Sequence, residues 1–153
     1  MKMNNHSVTL CTILVEKSPQ ALPLGVACVA SSIKNLSIEF SDLKVNLVDF
    51  NLEQNLSIEK ITNDLLCYDS AIYCFSIFVW NKNLLLEVAS ELKKINSKII
   101  CIAGGPEVTA NPNNFKKFDY VISGEGEVVT KNLIRNLFNG NIIQEKILYG
   151  KRE

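Results

Sequence analysis

Two short runs carry the clearest capacity for chemistry in this chain: Gly104-Gly105-Pro106-Glu107 and Gly124-Glu125-Gly126-Glu127. Each closes an apolar, strand-like run, and glycine leaves the backbone bare, so N–H and C=O groups can face a ligand directly. Two such stops at the ends of neighbouring strands mark the edge where open α/β sheets bind ligands. Glu107, Glu125 and Glu127 have the carboxylates needed for general acid/base work. Glu125 and Glu127 are equally explained as acids in the first turn of a helix. The pattern therefore reads as a site that holds a ligand, and no residue is assigned a catalytic role.

Other chemistries lack their residues. The only histidine, His6, lies in an Asn-rich N-terminal stretch, which leaves no Ser-His or Cys-His pair. There is no Cys/His cluster with metal-ligand spacing. The five cysteines (Cys11, Cys28, Cys67, Cys74, Cys101) form no C-x-x-C pair and fall mostly in apolar runs. They read as reduced core thiols of a cytoplasmic protein. After the first strand comes Glu16-Lys17-Ser18-Pro19-Gln20, neither G-x-G-x-x-G nor a Walker loop, which argues against a nicotinamide or phosphate-loop site. No acidic pair follows that strand either, so the chain does not look like a phosphoacceptor receiver. Sixteen basic residues balance sixteen acidic ones, so charge gives no reason to expect nucleic acid or an anionic membrane as partner. The longest apolar run, Ala71 to Trp80, is too short to span a bilayer.

The elements that must position the glycine runs alternate along the chain. Val8 to Val15 reads as a strand, followed by a Ser18-Pro19 turn. Leu22 to Leu36 has helical spacing and is rich in small residues after Leu22-Pro23-Leu24-Gly25. Val45 to Phe50 is a second strand, and Ser57 is placed to cap a short helix bearing Ile58, Ile61 and Leu65. Ala71 to Val79 is a third strand, apolar enough to be central. Asn81 is placed to cap a helix whose stripe is Leu85, Val88, Ala89, Leu92 and Ile95. Lys98 to Ala103 and Tyr120 to Ser123 are the fourth and fifth strands, and Glu125 to Phe138 is a last helix. The Gly104 to Asp119 connection shows no helical stripe, and a loop of that length in a compact domain is usually functional. A chain of 153 residues with this alternation predicts one α/β domain after a flexible extension over residues 1–7. Its expected form is a flavodoxin-like, Rossmann-like three-layer sandwich around a five-stranded parallel sheet.

The runs Phe75 to Asn81, Ala103 to Val108 and Asp119 to Glu127 occur in order, with Leu22 to Gly25 upstream. Together they resemble the N-terminal cobalamin-binding domain of cobalamin-dependent radical S-adenosylmethionine (SAM) enzymes, over nearly the whole chain. The resemblance implies that cobalamin is gripped by the loops at the carboxyl ends of the strands. Leu22, Leu24 and Gly25 would border the pocket for its nucleotide tail, with Ser76 hydrogen-bonding nearby. Phe78, Val79, Trp80 and Asn81 would lie at the lower corrin face. Gly104, Gly105, Pro106, Glu107 and Val108 would pass beside the tail, and Gly124, Glu125, Gly126 and Glu127 would complete the rim. The D-x-H-x-x-G motif of methionine synthase and the mutases is absent, which implies base-off cobalamin without a histidine ligand. The radical domain's Cys-x3-Cys-x2-Cys motif is also absent, so no iron–sulfur cluster is expected in this chain. The implied role is a cofactor-binding module of a methyltransferase-type system, not catalytic alone, working with a radical SAM domain in cis beyond the chain end or in trans. Two other readings stay open: a degenerate domain serving as an interaction or regulatory module, and a flavin-binding electron carrier on the same fold.

Overall fold

A computed structural model describes residues 2–17 and 23–151. Among these residues six strands form one parallel sheet in the order β2-β1-β3-β4-β5-β6. They are β1 (Ser7–Leu14), β2 (Lys44–Asn51), β3 (Ile72–Ser76), β4 (Ile100–Gly104), β5 (Tyr120–Ser123) and β6 (Ile147–Tyr149). The first five strands stand in the expected flavodoxin-like order. The expected count of five is corrected to six, because β6 pairs Val121, Ile122 and Ser123 with Ile147, Leu148 and Tyr149. Three residues in an otherwise unpatterned tail carry no periodicity of their own; the pairing with β5 makes them a strand.

Among the described residues five α-helices cover the sheet: α1 (Leu24–Lys34), α2 (Ile58–Leu66), α3 (Lys82–Ile95), α4 (Pro106–Ala110) and α5 (Glu127–Phe138). Alternate strand residues point to opposite faces, and two apolar clusters result. On one face Val8, Leu10, Ile72 and Ile102 meet Val26, Ala30 and Ile33 of α1 and Leu133, Ile134 and Leu137 of α5. On the other, Cys11, Tyr73, Phe75 and Cys101 meet Ile61 and Leu65 of α2, Leu85, Val88 and Leu92 of α3, and Val108 of α4. The expected α3 stripe holds except at Ile95, which is 57% exposed in the helix's last turn. The connection expected to be a loop contains α4 and a 3-10 turn over Pro112–Phe115, anchored by buried Val108, Phe115 and Phe118.

Local signals explain most boundaries. Ser57 Oγ accepts the Lys60 N–H at 3.0 Å, the N-cap read from the sequence. Asn81 departs from its expected capping role: its side chain makes no cap bond and turns back toward the sheet. The expected turn at Ser18-Pro19 lies outside the described residues. The N-terminal stretch is tied down by Met3 N–H donating to Phe138 O, and the His6 ring lies 4.7 Å from Phe40 and 4.8 Å from Phe138. Among the described residues no helix is long and apolar enough to cross a membrane.

Handedness singles out the last strand. The steps from β2 through β1 and β3 to β5 keep one hand, since α1 lies on one face for the backward step and α2, α3 and α4 on the other for the forward steps. The step from β5 to β6 also runs forward, yet α5 packs beside α1. That crossover therefore has the opposite hand to the other four, against the right-handed rule for parallel connections.

All five cysteines are free, with Cys11, Cys74 and Cys101 buried and Cys28 and Cys67 exposed. Burial pushes the Cys74 and Cys101 thiols up to about 12, and raises that of Cys11 as well. In native protein, alkylation read by mass spectrometry should modify Cys28 and Cys67 quickly and the buried three only after urea unfolding. Raised folded values mean that unfolded thiols ionise first. Stability should thus be intact below about pH 9 and decline as pH rises above it, as read by denaturant titration.

Candidate functional site

At the carboxyl edge, β1 and β3 send their following segments in opposite directions, β1 into α1 on one face and β3 toward α3 on the other. This is the topological switch point, where doubly wound sheets open a crevice. Asn81 spans it. Fully buried, its Nδ2 donates to Ile13 O at 3.1 Å and Ser76 O at 3.4 Å, while Oδ1 accepts the Phe78 N–H at 2.8 Å. The Trp80 indole Nε1 donates to the same Ile13 carbonyl at 2.8 Å, and its ring stacks on Phe78 at 4.5 Å and 11°.

The first glycine run follows from the same need for close backbone approach. Gly105 sits at φ +105° and ψ 179°, a region only glycine occupies without strain. A Cβ there would stand 2.6 Å from Ile77 N and 2.8 Å from Ile77 O. The room is taken by two ladder-like bonds, Ile77 N–H to Gly104 O at 2.8 Å and Glu107 N–H to Ile77 O at 3.1 Å. Pro106 then starts α4 at the first helical position, where a missing N–H costs nothing.

The two glycine runs are joined by Thr109. Its Oγ1 accepts the Gly124 N–H at 2.9 Å, and its carbonyl accepts from Ser123 Oγ at 3.4 Å. Gly124 has φ +96°, and Gly150, just past β6, packs backbone to backbone on this loop: Gly150 N–H donates to Ser123 O at 2.8 Å. A Cβ on Gly150 would overlap the Glu125 carbonyl.

Between the sheet and the first turns of α1 and α5 lies a cavity of about 840 Å³, within the range of small-molecule sites. Strand register explains its depth. Leu10, Cys74 and Ile102 stand side by side as one row. One step nearer the edge, Ser76 faces Gly104, whose missing side chain leaves that row open. A Cβ on Gly104 would touch nothing nearer than Ile122 Cβ at 3.9 Å, so this glycine provides room, where Gly105 provides conformation. Opposite, Gly25, Val26 and Val29 of α1 and Gly126 and Thr130 at α5 form the helix wall.

Of the residues expected to border a ligand, Gly25, Ser76, Phe78, Gly104, Gly105, Pro106, Gly124, Glu125, Gly126 and Glu127 line this cavity. Leu24, Val79 and Trp80 lie on the surface, 69%, 74% and 41% exposed. Asn81 is consumed in the backbone clamp, Val108 is a core residue of the opposite face, and Glu107 pairs with Lys82 at 3.8 Å. Leu22 lies outside the described residues. The sequence reading missed Leu10, Cys74, Ile102, Ile122, Thr109, Thr130 and Gly150; the two-residue alternation of each strand held the signal for the first four. Removing the clamp with Asn81→Ala should cost about 1–3 kcal/mol, the penalty for leaving buried backbone groups unpaired. Gly105→Ala should cost at least as much, through strain and contact with Ile77. Urea denaturation of the two variants measures both.

The model of the B12 binding domain matches residues 12–134. An uncharacterized methyltransferase of Pyrococcus horikoshii, PH0819, is 30% identical over 122 residues, 77% of this chain and 25% of that protein. The cobalamin-dependent radical SAM methyltransferase TokK of Streptomyces tokunonensis is 36% identical over 67 residues, 41% of this chain and 10% of its own length. Among solved structures, the cobalamin-dependent SAM radical enzyme OxsB, with aqua-cobalamin and S-adenosylmethionine bound, superposes with a TM-score of 0.69. It does so at 19% identity, over 94% of this chain and 20% of that one. The chain thus spans a quarter or less of these relatives. With a family model matching most of its length, this chain belongs to the B12-binding domain family, whose cofactor is cobalamin.

Proposed function

We propose that this chain is a cobalamin-binding module that holds its cofactor base-off, supplies no histidine to cobalt, and serves a radical SAM domain in cis or in trans. The observation that carries the reading is the cavity beside β4, open because Gly104 has no side chain and walled by the small residues of α1 and α5. It fits the long nucleotide tail of a corrinoid, while the bare backbone of Gly104–Gly105 and Gly124–Gly126 fits close approach at the rim. When bound, cobalamin supplies a cobalt centre able to carry a methyl group between donor and acceptor.

The chain's own residues position and shield. Ser76 offers a hydroxyl at the cavity mouth, and the apolar floor excludes water from the buried part of the ligand. The place of His6 supports the absence of a histidine ligand. It precedes β1, whose eight residues at about 3.3 Å each put the opposite sheet edge about 26 Å away. Its Nδ1 is already 2.8 Å from Asp42 Oδ1. The degenerate-module reading expected Phe78 and Trp80 to fill the crevice; Phe78 lines it, Trp80 is stacked outside, and the space stays open. Catalysis is assigned to the partner domain; among the described residues lining the cavity, the carboxylates are Glu125 and Glu127 of the rim.

Reconstitution with hydroxocobalamin tests the proposal. The purified chain should retain corrinoid through gel filtration with a base-off absorption spectrum, unchanged in His6→Ala. Gly104→Ala should fold normally by circular dichroism yet bind about tenfold more weakly, as one added methyl in a fitted pocket does. Folded protein that retains no corrinoid at micromolar ligand would overturn the reading.

A further inference from the structure

Resting on the cobalamin reading, we propose that the cavity floor selects the lower base of the corrinoid, accepting an apolar benzimidazole and rejecting a purine. Corrinoids share one ring and differ in the base that ends the nucleotide tail. A cavity that takes this tail meets that difference at its deepest point.

The floor is built from Leu10, Cys74 and Ile102, adjacent in register and 2%, 7% and 2% exposed, with Ile122 beside them at 3%. None of these side chains carries oxygen or nitrogen. The backbone groups beneath belong to the β1–β3–β4 ladder and are already paired. The Cys74 sulfur is a weak hydrogen-bonding group, and burial keeps it protonated. Hydroxyls sit elsewhere. Thr12, fully buried, spends its Oγ1 on Ser76 O at 3.2 Å. Ser76 stands one row nearer the mouth, Thr109 holds the Gly124 N–H with its Oγ1, and among the described residues Thr130 alone brings a hydroxyl to the helix wall.

A dimethylbenzimidazole can turn its methylated, carbon-only edge to such a floor and, base-off, carries a single free ring nitrogen. An adenine presents an exocyclic amine and several ring nitrogens, and one threonine hydroxyl cannot satisfy them all. Buried polar groups left without partners are strongly disfavoured. Apolar pockets nevertheless discriminate only moderately against ligands that add polar atoms, on the order of 10–100-fold. That range is the expected size of the preference.

Titrating the full chain with cobalamin, adeninyl cobamide and cobinamide, which lacks the nucleotide, tests this directly by absorbance and equilibrium dialysis. Cobalamin should bind about tenfold or more tightly than adeninyl cobamide, and the latter should approach cobinamide. Cys74→Ser and, independently, Ile102→Thr should narrow the ratio between the two complete corrinoids. Mere destabilisation would weaken both ligands alike and leave the ratio unmoved. Equal binding of cobalamin and adeninyl cobamide would overturn the selection while leaving cobalamin binding intact. If none of the three corrinoids binds, the underlying reading fails and this proposal falls with it.

Discussion

One buried amide holds the carboxyl edge together. At the switch point the chain leaves β1 and β3 for opposite faces, and the diverging backbones lose their ladder partners just where a crevice opens. Asn81 replaces those partners, donating to Ile13 O and accepting from Phe78 N–H. From there a line of hydrogen bonds runs across the edge. Ile77 N–H bonds Gly104 O, Glu107 N–H bonds Ile77 O, Thr109 Oγ1 accepts from Gly124 N–H, and Gly150 N–H reaches Ser123 O. Among the described residues, the ends of β1, β3, β4, β5 and β6 are each fixed to a neighbour by at least one such bond. The loops are therefore set before a ligand arrives, which lowers the ordering cost of binding.

This rigidity explains why so many glycines stand in a small space. Backbone-to-backbone approach is the only way to pack three loops at one edge while leaving a cavity beneath them. Gly105 and Gly124 meet the demand through positive φ, Gly150 through contact with Glu125, and Gly104 by leaving a gap in a row of side chains. The same residue type thus serves conformation at one position and volume at the next. Side chains then supply what glycine cannot, with Thr109 as the tie and Leu10, Cys74 and Ile102 as the floor.

How much of this was legible in the sequence follows from how local each signal is. The apolar runs and helical stripes gave the elements, and strand–helix alternation gave the first five strands in order, because these patterns repeat within a few residues. The glycine runs marked the edge for the same reason. Strand β6 was hidden because its three residues have no pattern apart from their pairing with β5. The cavity floor was hidden because an apolar residue in an apolar run does not reveal its face until register with neighbours is known. Asn81 looked like a cap, since a cap and a clamp both need a short amide before a helix; only the approach of Ile13, 68 residues earlier in the chain, separates them. Val108 looked like part of the rim by adjacency, whereas one turn of α4 carries it into the core.

The reversed hand of the last crossover has a consequence for the order in which the edge comes apart. Strand β6 is short, has one neighbour, and is reached across the face opposite to the one used by the other forward steps. It is the strand with the fewest bonds to lose, and local opening draws on such segments first. Its loss would free Gly150 from Ser123 and Glu125 while leaving β1, β3 and β4 paired. In hydrogen-exchange terms, the rim and the floor of one cavity then belong to different cooperative units.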